Sequence, residues 1–248
     1  MKPKPGRQRL DHLLVERGLA ESLPKATAMV LAGEVQVDGM RAEKAGMPIA
    51  SDAEVAVTSR LEKYASRGGF KLEGALEDFA FNPARLVCLD IGSSHGGFTD
   101  CLLQRGAARV YAVDVNVEQL DWKLSQDPRV IRIKRNAREL RNSDIPELVD
   151  LVVIDVSFIS ACKVVAPAAR VAKSDAELLV LVKPQFELPR EEIGRGGIVA
   201  DKKLHEKAIL AVRRHVESLG FETLGVRPSR IPGAEGNQEY FLHARKSR

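Results

Sequence analysis

The sequence predicts an α/β protein in which a seven-stranded, mostly parallel sheet covered by helices follows a small α+β domain. Apolar runs of strand length alternate with amphipathic stretches from residue 86 onwards, and helix and hairpin signals crowd into the first 58 residues. The composition is that of a globular chain, with 44% apolar and 29% charged residues among 248. No stretch reaches the roughly 18 apolar residues of a membrane helix, and no secretory signal is recognisable, so we expect a cytoplasmic protein without membrane partners.

The amino-terminal segment carries signals for two short helices and a small sheet. Helical leucine spacing precedes Gly18, and a second helix is expected from the cap residue Ser22 to Gly33. Alternating strands at 35–37 and 55–57 accompany the hairpin signal Asp38-Gly39. The module is basic, and its exposed cations are predicted to be Arg7, Arg9, Lys25, Arg41 and Lys44.

The larger domain reads as alternating strands and helices. Strands are predicted at 86–91, 110–115, 130–135, 151–156, 178–183, 221–227 and 238–244. Helices are predicted near 97–105, 117–125, 160–172 and 202–219. Continuous apolar strands separated by helices indicate a parallel sheet buried on both faces, and since no helix separates the last two strands, one of them should be antiparallel. This order fits a Rossmann-like methyltransferase sheet better than a plain dinucleotide fold.

The loop after the first of these strands, DIGSSHGGFT, has the features of a cofactor site. Its glycines let the backbone approach a ligand, and the helix that follows favours a carboxylate. Asp114 closes the second strand, where an acid accepts both hydroxyls of a ribose. Because the spacing is not GxGxxG, it fits S-adenosylmethionine better than NAD. The predicted cofactor-binding residues are Asp90, Gly92, Ser94, Gly96, Gly97, Phe98, Asp114 and Asp155.

Four charged residues stand at predicted element ends. Lys71 begins a helix, Asp155 ends the fourth strand, Lys183 ends the very apolar fifth strand and Glu239 lies in the last strand. Desolvation at the mouth of a buried strand disfavours a charged lysine, which readies Lys183 as a base. Taken singly, Lys71 reads as a solvated helix charge, Lys183 as a snorkelling lysine and Glu239 as an edge-strand carboxylate.

As an ordered set, Lys71, Asp155, Lys183 and Glu239 resemble the catalytic tetrad of the FtsJ-like ribose 2′-O-methyltransferases. RLDHLLVERGLAESLPKATAMVLAGEVQVDG resembles the S4-type RNA-binding module, and SRGGFKL, IDVSFIS, VKPQFE and GNQEYFL resemble the TlyA family, which joins the two. The resemblance covers the whole chain. It implies a module at 1–58, a linker at 59–69 and a methyltransferase domain at 70–248.

The same resemblance implies S-adenosylmethionine as cofactor, cytidine ribose in ribosomal RNA as the methyl acceptor, and ribosomal RNA or ribosomal subunits as partners. Family members act on the large subunit, and some also on the small one. The sequence departs from the family pattern at Leu23, where a basic residue is usual, at His95, where a small hydroxyl residue is common, and at Asn116, where glycine is usual.

The distribution of charge and the spacing of the cysteines indicate which kinds of partner and site to expect. A net charge of +4, with basic clusters at the amino end, at 129–141 and in the tail, suits a polyanion, and Arg67 in the linker extends the basic path. Cys88, Cys101 and Cys162 lie far apart, so neither a disulfide scaffold nor a metal site is expected.

Two other functions remain open. One is an RNA-binding or ribosome-assembly protein with an inactive methyltransferase domain. The other is a haemolysin, a name attached to the family, which would need export and a membrane-active segment that the sequence does not show.

Overall fold

The computed structural model describes residues 6–20, 22–57, 63–233 and 236–247. Its contacts divide the chain into two compact units, Met1–Lys63 and Tyr64–Arg248. Residues 59–62 of the expected linker lie outside the described residues, as do residues 1–5 and 248. Residues 64–69 belong to the second unit, because Tyr64 is buried in its core.

The first unit contains two helices and two small sheets around a core of leucine, valine and alanine. Its elements are β1 (Arg7–Arg9), α1 (Leu10–Glu16), α2 (Leu23–Ala32), β2 (Val35–Val37), β3 (Met40–Arg41), β4 (Pro48–Ala50) and β5 (Val55–Val57). Ser22 caps α2 by accepting from the backbone N–H of Lys25, and Gly33 ends it at a φ of 77°. The predicted strands at 35–37 and 55–57 are β2 and β5, which pair with each other. Strands β1 and β4 also pair, and the sequence did not predict them because each is only three residues long.

The second unit is the predicted α/β domain. Its elements are α3 (Arg67–Asp78), β6 (Val87–Ile91), α4 (Gly97–Gln104), β7 (Arg109–Asp114), α5 (Trp122–Gln126), β8 (Val130–Lys134), β9 (Val149–Ile154), α6 (Cys162–Val171), β10 (Ala172–Val182), α7 (Pro184–Glu187), α8 (Lys202–Ser218), β11 (Phe221–Pro228) and β12 (Tyr240–Lys246). Single 3₁₀ turns lie at Val117–Gln119, Ala137–Glu139, Asn142–Asp144, Arg190–Glu192 and Arg195–Gly197.

The seven strands form one sheet in the order β11-β12-β10-β9-β6-β7-β8. The five strands from β6 to β10 are parallel, and β12 runs antiparallel to both of its neighbours, as the missing last helix predicted. The chain builds outward from β6 through β7 to β8 and then returns to the other side of β6 with β9. This reversal makes the carboxyl ends of β6 and β9 the switch point, where ligands bind in open α/β sheets.

Both faces of the sheet are covered because successive strand residues point to opposite sides. Leu89, Ile91, Val152 and Ile154 pack with α6 and α8 on one face. Cys88, Leu151 and Val153 pack with α3 and α4 on the other. Gly97 allows α4 to lie close to the start of α3, since a Cβ there would come within 2.2 Å of Ser66 Oγ.

Four element predictions were wrong in detail. The helix predicted at 117–125 is a 3₁₀ turn followed by α5, because Asp121 accepts from the N–H of Lys123 and starts a new helix. Lys71 is the fifth residue of α3 rather than its beginning, since the helix starts at Arg67. The strand predicted at 178–183 is β10, which already begins at Ala172. Since β12 lies between β10 and β11, the reading of Glu239 as an edge-strand carboxylate is also wrong.

Candidate functional site

The first feature of the site is the contact between Lys183 and the end of β9. Lys183 directly follows β10, and its Nζ lies 2.5 Å from Asp155 Oδ1 in an ion pair. The same ammonium donates a 2.9 Å hydrogen bond to Ser157 Oγ. Because β9 and β10 are parallel neighbours, the residues that follow them meet at one edge of the sheet. Only 9% of the Lys183 side chain is exposed, so both contacts are largely shielded from water and the attraction between the charges is stronger than at the surface.

A second buried ion pair joins residues 168 positions apart, since Lys71 Nζ donates to Glu239 Oε2 at 2.6 Å. The Lys71 side chain is 11% exposed and the Glu239 side chain 3%. Lys71 lies on helix α3, and Glu239 directly precedes β12. Removing one member of such a pair would leave the other charge buried without a partner.

Both pairs adjoin a cavity of about 230 Å³. Its wall includes Lys71, Asp155, Ser157 and Lys183, while Glu239 lies behind Lys71 and does not line it. The exposed residue Arg67 stands on the same wall. Three members of the predicted tetrad therefore face one space, and the fourth holds one of them in place.

A second cavity of about 480 Å³ adjoins the first through shared walls. Gly92, Ser94, Asp155 and Ser157 line both cavities, and Asp114 lines the second. The remaining walls of the second cavity are Val113, Val115, Gln119, Arg135, Asn136, Ala137, Val156, Phe158 and Ile159.

Asp114 is held in a fixed orientation at this second cavity. Its Oδ2 accepts from the backbone N–H of Ser94 at 3.0 Å, and its Oδ1 accepts from that of Asn116 at 2.9 Å. Each carboxylate oxygen retains acceptor capacity, which suits a pair of ribose hydroxyls. The departures from the family pattern sit beside this acid: Asn116 contributes only its backbone, and the exposed His95 lies 3.2 Å from Ser94 Oγ through its Nδ1.

Glycine at position 92 is required by the close approach of two strand ends. Its φ is 85°, and a Cβ would come within 2.2 Å of the backbone oxygen of Asp155. Gly97 and Phe98 line the first cavity as well. This cradle of glycine backbone, a fixed acid and an adjoining elongated space fits a nucleoside cofactor with an amino-acid tail.

Two predicted cofactor residues lie behind the cradle instead of lining it. Asp90 is completely buried, and its Oδ2 accepts from Thr99 Oγ1 at 2.6 Å while its Oδ1 has no partner among the described residues. Burial raises the pKa of Asp90 to about 7, with the nearby carboxylate of Asp155 acting in the same direction. Gly96 makes room for the side chains of Leu120 and Leu124.

The predicted RNA-binding cations of the first unit are all exposed. Arg9 also pairs with Asp11 at 2.6 Å, and the Arg41 guanidinium lies over Gly33. Lys25 stands in the first turn of α2, and Arg7 and Lys44 are exposed on the same unit. These side chains are available to contact phosphates, which position a nucleic acid without reading its sequence.

Sequence reasoning did not single out Ser157, Gln119 or Asn136. Ser157 stood in the quoted segment IDVSFIS, two residues after Asp155, so its place at a strand end was a usable signal. Gln119 ends a 3₁₀ turn and Asn136 precedes another, and apolar periodicity does not indicate which polar side chains of such segments face a cavity.

A sheet of this order, with a glycine-lined cradle and paired charges at its switch point, defines a Rossmann-like methyltransferase. The description "FtsJ-like methyltransferase" matches residues 64–246, and "S4 domain" matches residues 8–55. The chain belongs to the TlyA family, in which an S4 domain precedes an FtsJ-like methyltransferase domain.

Three similar proteins illustrate the membership. The 16S/23S rRNA (cytidine-2'-O)-methyltransferase TlyA of Mycobacterium tuberculosis is 46% identical over 241 residues, which cover 96% of this chain and 90% of that protein. Hemolysin A of Brachyspira hyodysenteriae is 40% identical over 241 residues, covering 95% of this chain and 98% of that protein. The solved structure of a hemolysin-named protein from Streptococcus thermophilus has a TM-score of 0.76 at 39% identity, covering 98% of this chain and 89% of that one.

Within the described part of the chain, no helix is both long enough and apolar enough to span a bilayer.

Proposed function

We propose that this chain transfers a methyl group from S-adenosylmethionine to the ribose 2′-hydroxyl of cytidines in ribosomal RNA. The observation that carries the proposal is the placement of Lys183 in the first cavity, in contact with Asp155 and Ser157, which also line the second cavity beside Asp114. The similarity to a curated cytidine-2'-O-methyltransferase along 96% of the chain supports the same reaction.

The chemistry requires a base because a ribose hydroxyl is a poor nucleophile near neutral pH. When bound, S-adenosylmethionine supplies the methyl group as an electrophile on a sulfonium. After its ammonium has released one proton to solvent, the neutral amine of Lys183 takes the proton of the 2′-hydroxyl, and Asp155 and Ser157 hold its Nζ in the orientation needed. General-base catalysis of this kind contributes about 10²–10⁴-fold, and alignment of the reacting atoms about 7–11 kcal/mol.

The remaining members of the tetrad position the substrate. Lys71 faces the cavity with its charge compensated by Glu239, so its remaining N–H groups can donate to the ribose or its phosphate. We assign Asp114 to the cofactor ribose and the backbone from Gly92 to Gly97 to its amino-acid tail. The target nucleotide leaves its stack to reach Lys183, as bases do in other enzymes that modify nucleic acids.

The S4 unit binds the RNA through its exposed cations, and Arg67 on the cavity wall of the second unit supplies a further positive charge for the RNA. We propose ribosomal subunits as the partner and the cytoplasm, where they are assembled, as the place of action. Lys25→Gln removes one exposed charge, so RNA affinity should fall and the salt dependence of binding should decrease by about one unit of slope. Filter binding across a salt series measures both. The exposed Lys203→Gln in the other unit is the control, and a decreased slope in that variant would contradict the assignment.

Transfer of labelled methyl to subunits from a strain lacking the enzyme tests the reaction. Nucleoside analysis should give 2′-O-methylcytidine, and Lys183→Met, which keeps the buried stem but removes the ammonium, should abolish it while cofactor binding remains. Lys203→Met, at an exposed helix position, is the matched control.

The outcomes separate the alternatives. Cofactor binding without transfer to either subunit would point to another RNA or an earlier assembly stage. No transfer and no cofactor binding would favour an RNA-binding or assembly protein, and leakage of liposomes on addition of the protein would favour the haemolysin.

A further inference from the structure

The loop after β9 and the short helix after β10 are joined at a second place, away from Lys183. Glu187, the last residue of α7, accepts from Ser160 Oγ at 2.5 Å through Oε2 and from the backbone N–H of Ala161 at 2.7 Å through Oε1. Both carboxylate oxygens are therefore engaged with the loop that begins at Asp155. The proposed reaction leaves this carboxylate without a role.

Glu187 stands at the amino end of α6, where a negative charge is favourable. Ala161 is the residue that precedes this ten-residue helix, and its side chain makes no capping hydrogen bond. The carboxylate from α7 therefore caps the N–H of Ala161, while Ser160 Oγ of the loop accepts from the next N–H, that of Cys162, at 3.2 Å. Burial raises the pKa of Glu187 because it disfavours the charged carboxylate. The hydrogen bonds from Ser160 Oγ and the Ala161 N–H offset part of that cost.

The neighbouring residue makes a second contact with the same loop. The ring of Phe186 lies 5.3 Å from the ring of Phe158, measured between centroids. Phe158 has a φ of 66°, in the left-handed region that favours glycine and that a residue with a side chain adopts only when its surroundings enforce it. Two consecutive residues of α7 thus fix a loop whose backbone is strained.

These contacts close a ring of interactions. Asp155 pairs with Lys183, the chain continues from Lys183 through α7 to Glu187, and Glu187 binds the loop that leads back to Asp155. Lys183 is held on both sides only when this loop keeps Asp155 and Ser157 at the end of β9. We infer that Glu187 is a positioning residue, which anchors the 155–161 loop so that Asp155 and Ser157 together orient the Lys183 ammonium.

The expected loss of kcat rests on the proposed function. The expected change in the surroundings of the Lys183 ammonium does not. Glu187→Ala removes the anchor, and we expect kcat to fall by about a hundredfold, the loss that follows from a misplacement of about 1 Å. The cofactor dissociation constant should rise by much less than kcat falls: residues 155–159 of the loop line the second cavity, but Asp114 and the 92–97 backbone assigned to the cofactor lie outside the loop. The Nζ resonance of Lys183, assigned with Lys183→Met in protein labelled with ¹⁵N-lysine, should move in Glu187→Ala.

Glu187→Gln separates positioning from a general structural role. A glutamine carbonyl accepts from Ala161 N–H and its amide donates to Ser160 Oγ, so this variant should restore most of kcat and the native Lys183 resonance. Glu191→Ala, at an exposed position four residues further on, should behave as the unaltered protein. If Glu187→Ala does not fold, Ser160→Ala removes one of the two Glu187 contacts, together with the bond from the Cys162 N–H to Ser160 Oγ, and should give the same pattern more weakly.

An unchanged kcat and an unchanged Lys183 resonance in Glu187→Ala would overturn the inference, as would an equal loss in Glu187→Gln. Failure of the unaltered enzyme to methylate any RNA would refute the proposed function instead. In that case the Lys183 resonance still decides whether Glu187 holds the loop.

Discussion

The buried carboxylate of Asp90 makes the stability of the second unit depend on pH in a way that one substitution should remove. Asp90 is completely buried behind the cofactor cradle, with its Oδ2 bound by Thr99 and its Oδ1 without a partner among the described residues. Asp90→Asn keeps the shape of the side chain and an acceptor for the Thr99 hydroxyl but cannot ionise. We therefore expect this variant to be more stable than the unaltered protein at alkaline pH.

The direction and size of this stability difference follow from the pKa of Asp90, which burial raises from 3.8 to about 7. Between these values the folded protein holds a proton that the unfolded chain has released, so the free energy of unfolding decreases as pH rises through this window. At about 1.4 kcal/mol per pKa unit, the decrease attributable to Asp90 is about 4 kcal/mol, and it is complete above the folded pKa. The advantage of Asp90→Asn should be small near pH 4 and approach that value at pH 8.

Urea unfolding followed by circular dichroism at pH 5 and pH 8 measures the difference, and hydrogen exchange of the β6 amides assigns it to the second unit. Asp150→Asn is the control, because that carboxylate on β9 is partly exposed and paired with Lys173. A stability difference between Asp90→Asn and the unaltered protein that is equal at both pH values would refute the reasoning, as would a gain in Asp150→Asn.

Two further substitutions test the cradle and the buried pair. Gly92→Ala should abolish cofactor binding measured by calorimetry, because its Cβ would come within 2.2 Å of the Asp155 backbone oxygen; Gly220→Ala, at a similar positive φ but with nothing within 4 Å, should bind normally. Lys71→Met should lower the free energy of unfolding by about 3–5 kcal/mol because it leaves the Glu239 carboxylate buried and unpaired. Adding Glu239→Gln should recover part of that loss in urea melts, and a double variant less stable than Lys71→Met would contradict this account.

The sequence predicted the strands well because parallel strands buried on both faces are continuous apolar runs. The ends of these runs indicate that Asp155 and Lys183 lie at one edge of the sheet, because the carboxyl ends of neighbouring parallel strands lie together. Their direct contact at 2.5 Å agrees with the predicted tetrad, although the role of each residue in catalysis stays a prediction.

What the sequence did not reveal depends on contacts between distant segments. The start of β10 at Ala172 was missed because AKSDA is polar and reads as a loop, although it pairs through Ala172 with β9. The cap that Glu187 provides for α6 comes from another element, so no pattern within residues 155–171 announces it. Gln119 lay in a predicted helix and Asn136 just after a predicted strand, but neither pattern indicated that these polar side chains reach the second cavity.

The insertion of β12 between β10 and β11 has a consequence for the order in which the site is completed. Because β12 runs opposite to β10, its first residues, not its last, lie at the switch-point edge, and this direction brings Glu239 to Lys71. A chain synthesised only as far as α7 already contains the cradle, Asp155 and Lys183, yet it leaves the Lys71 ammonium without its carboxylate. The site is thus completed only when Glu239 and β12 have been synthesised, which ties the appearance of activity to the synthesis of that strand.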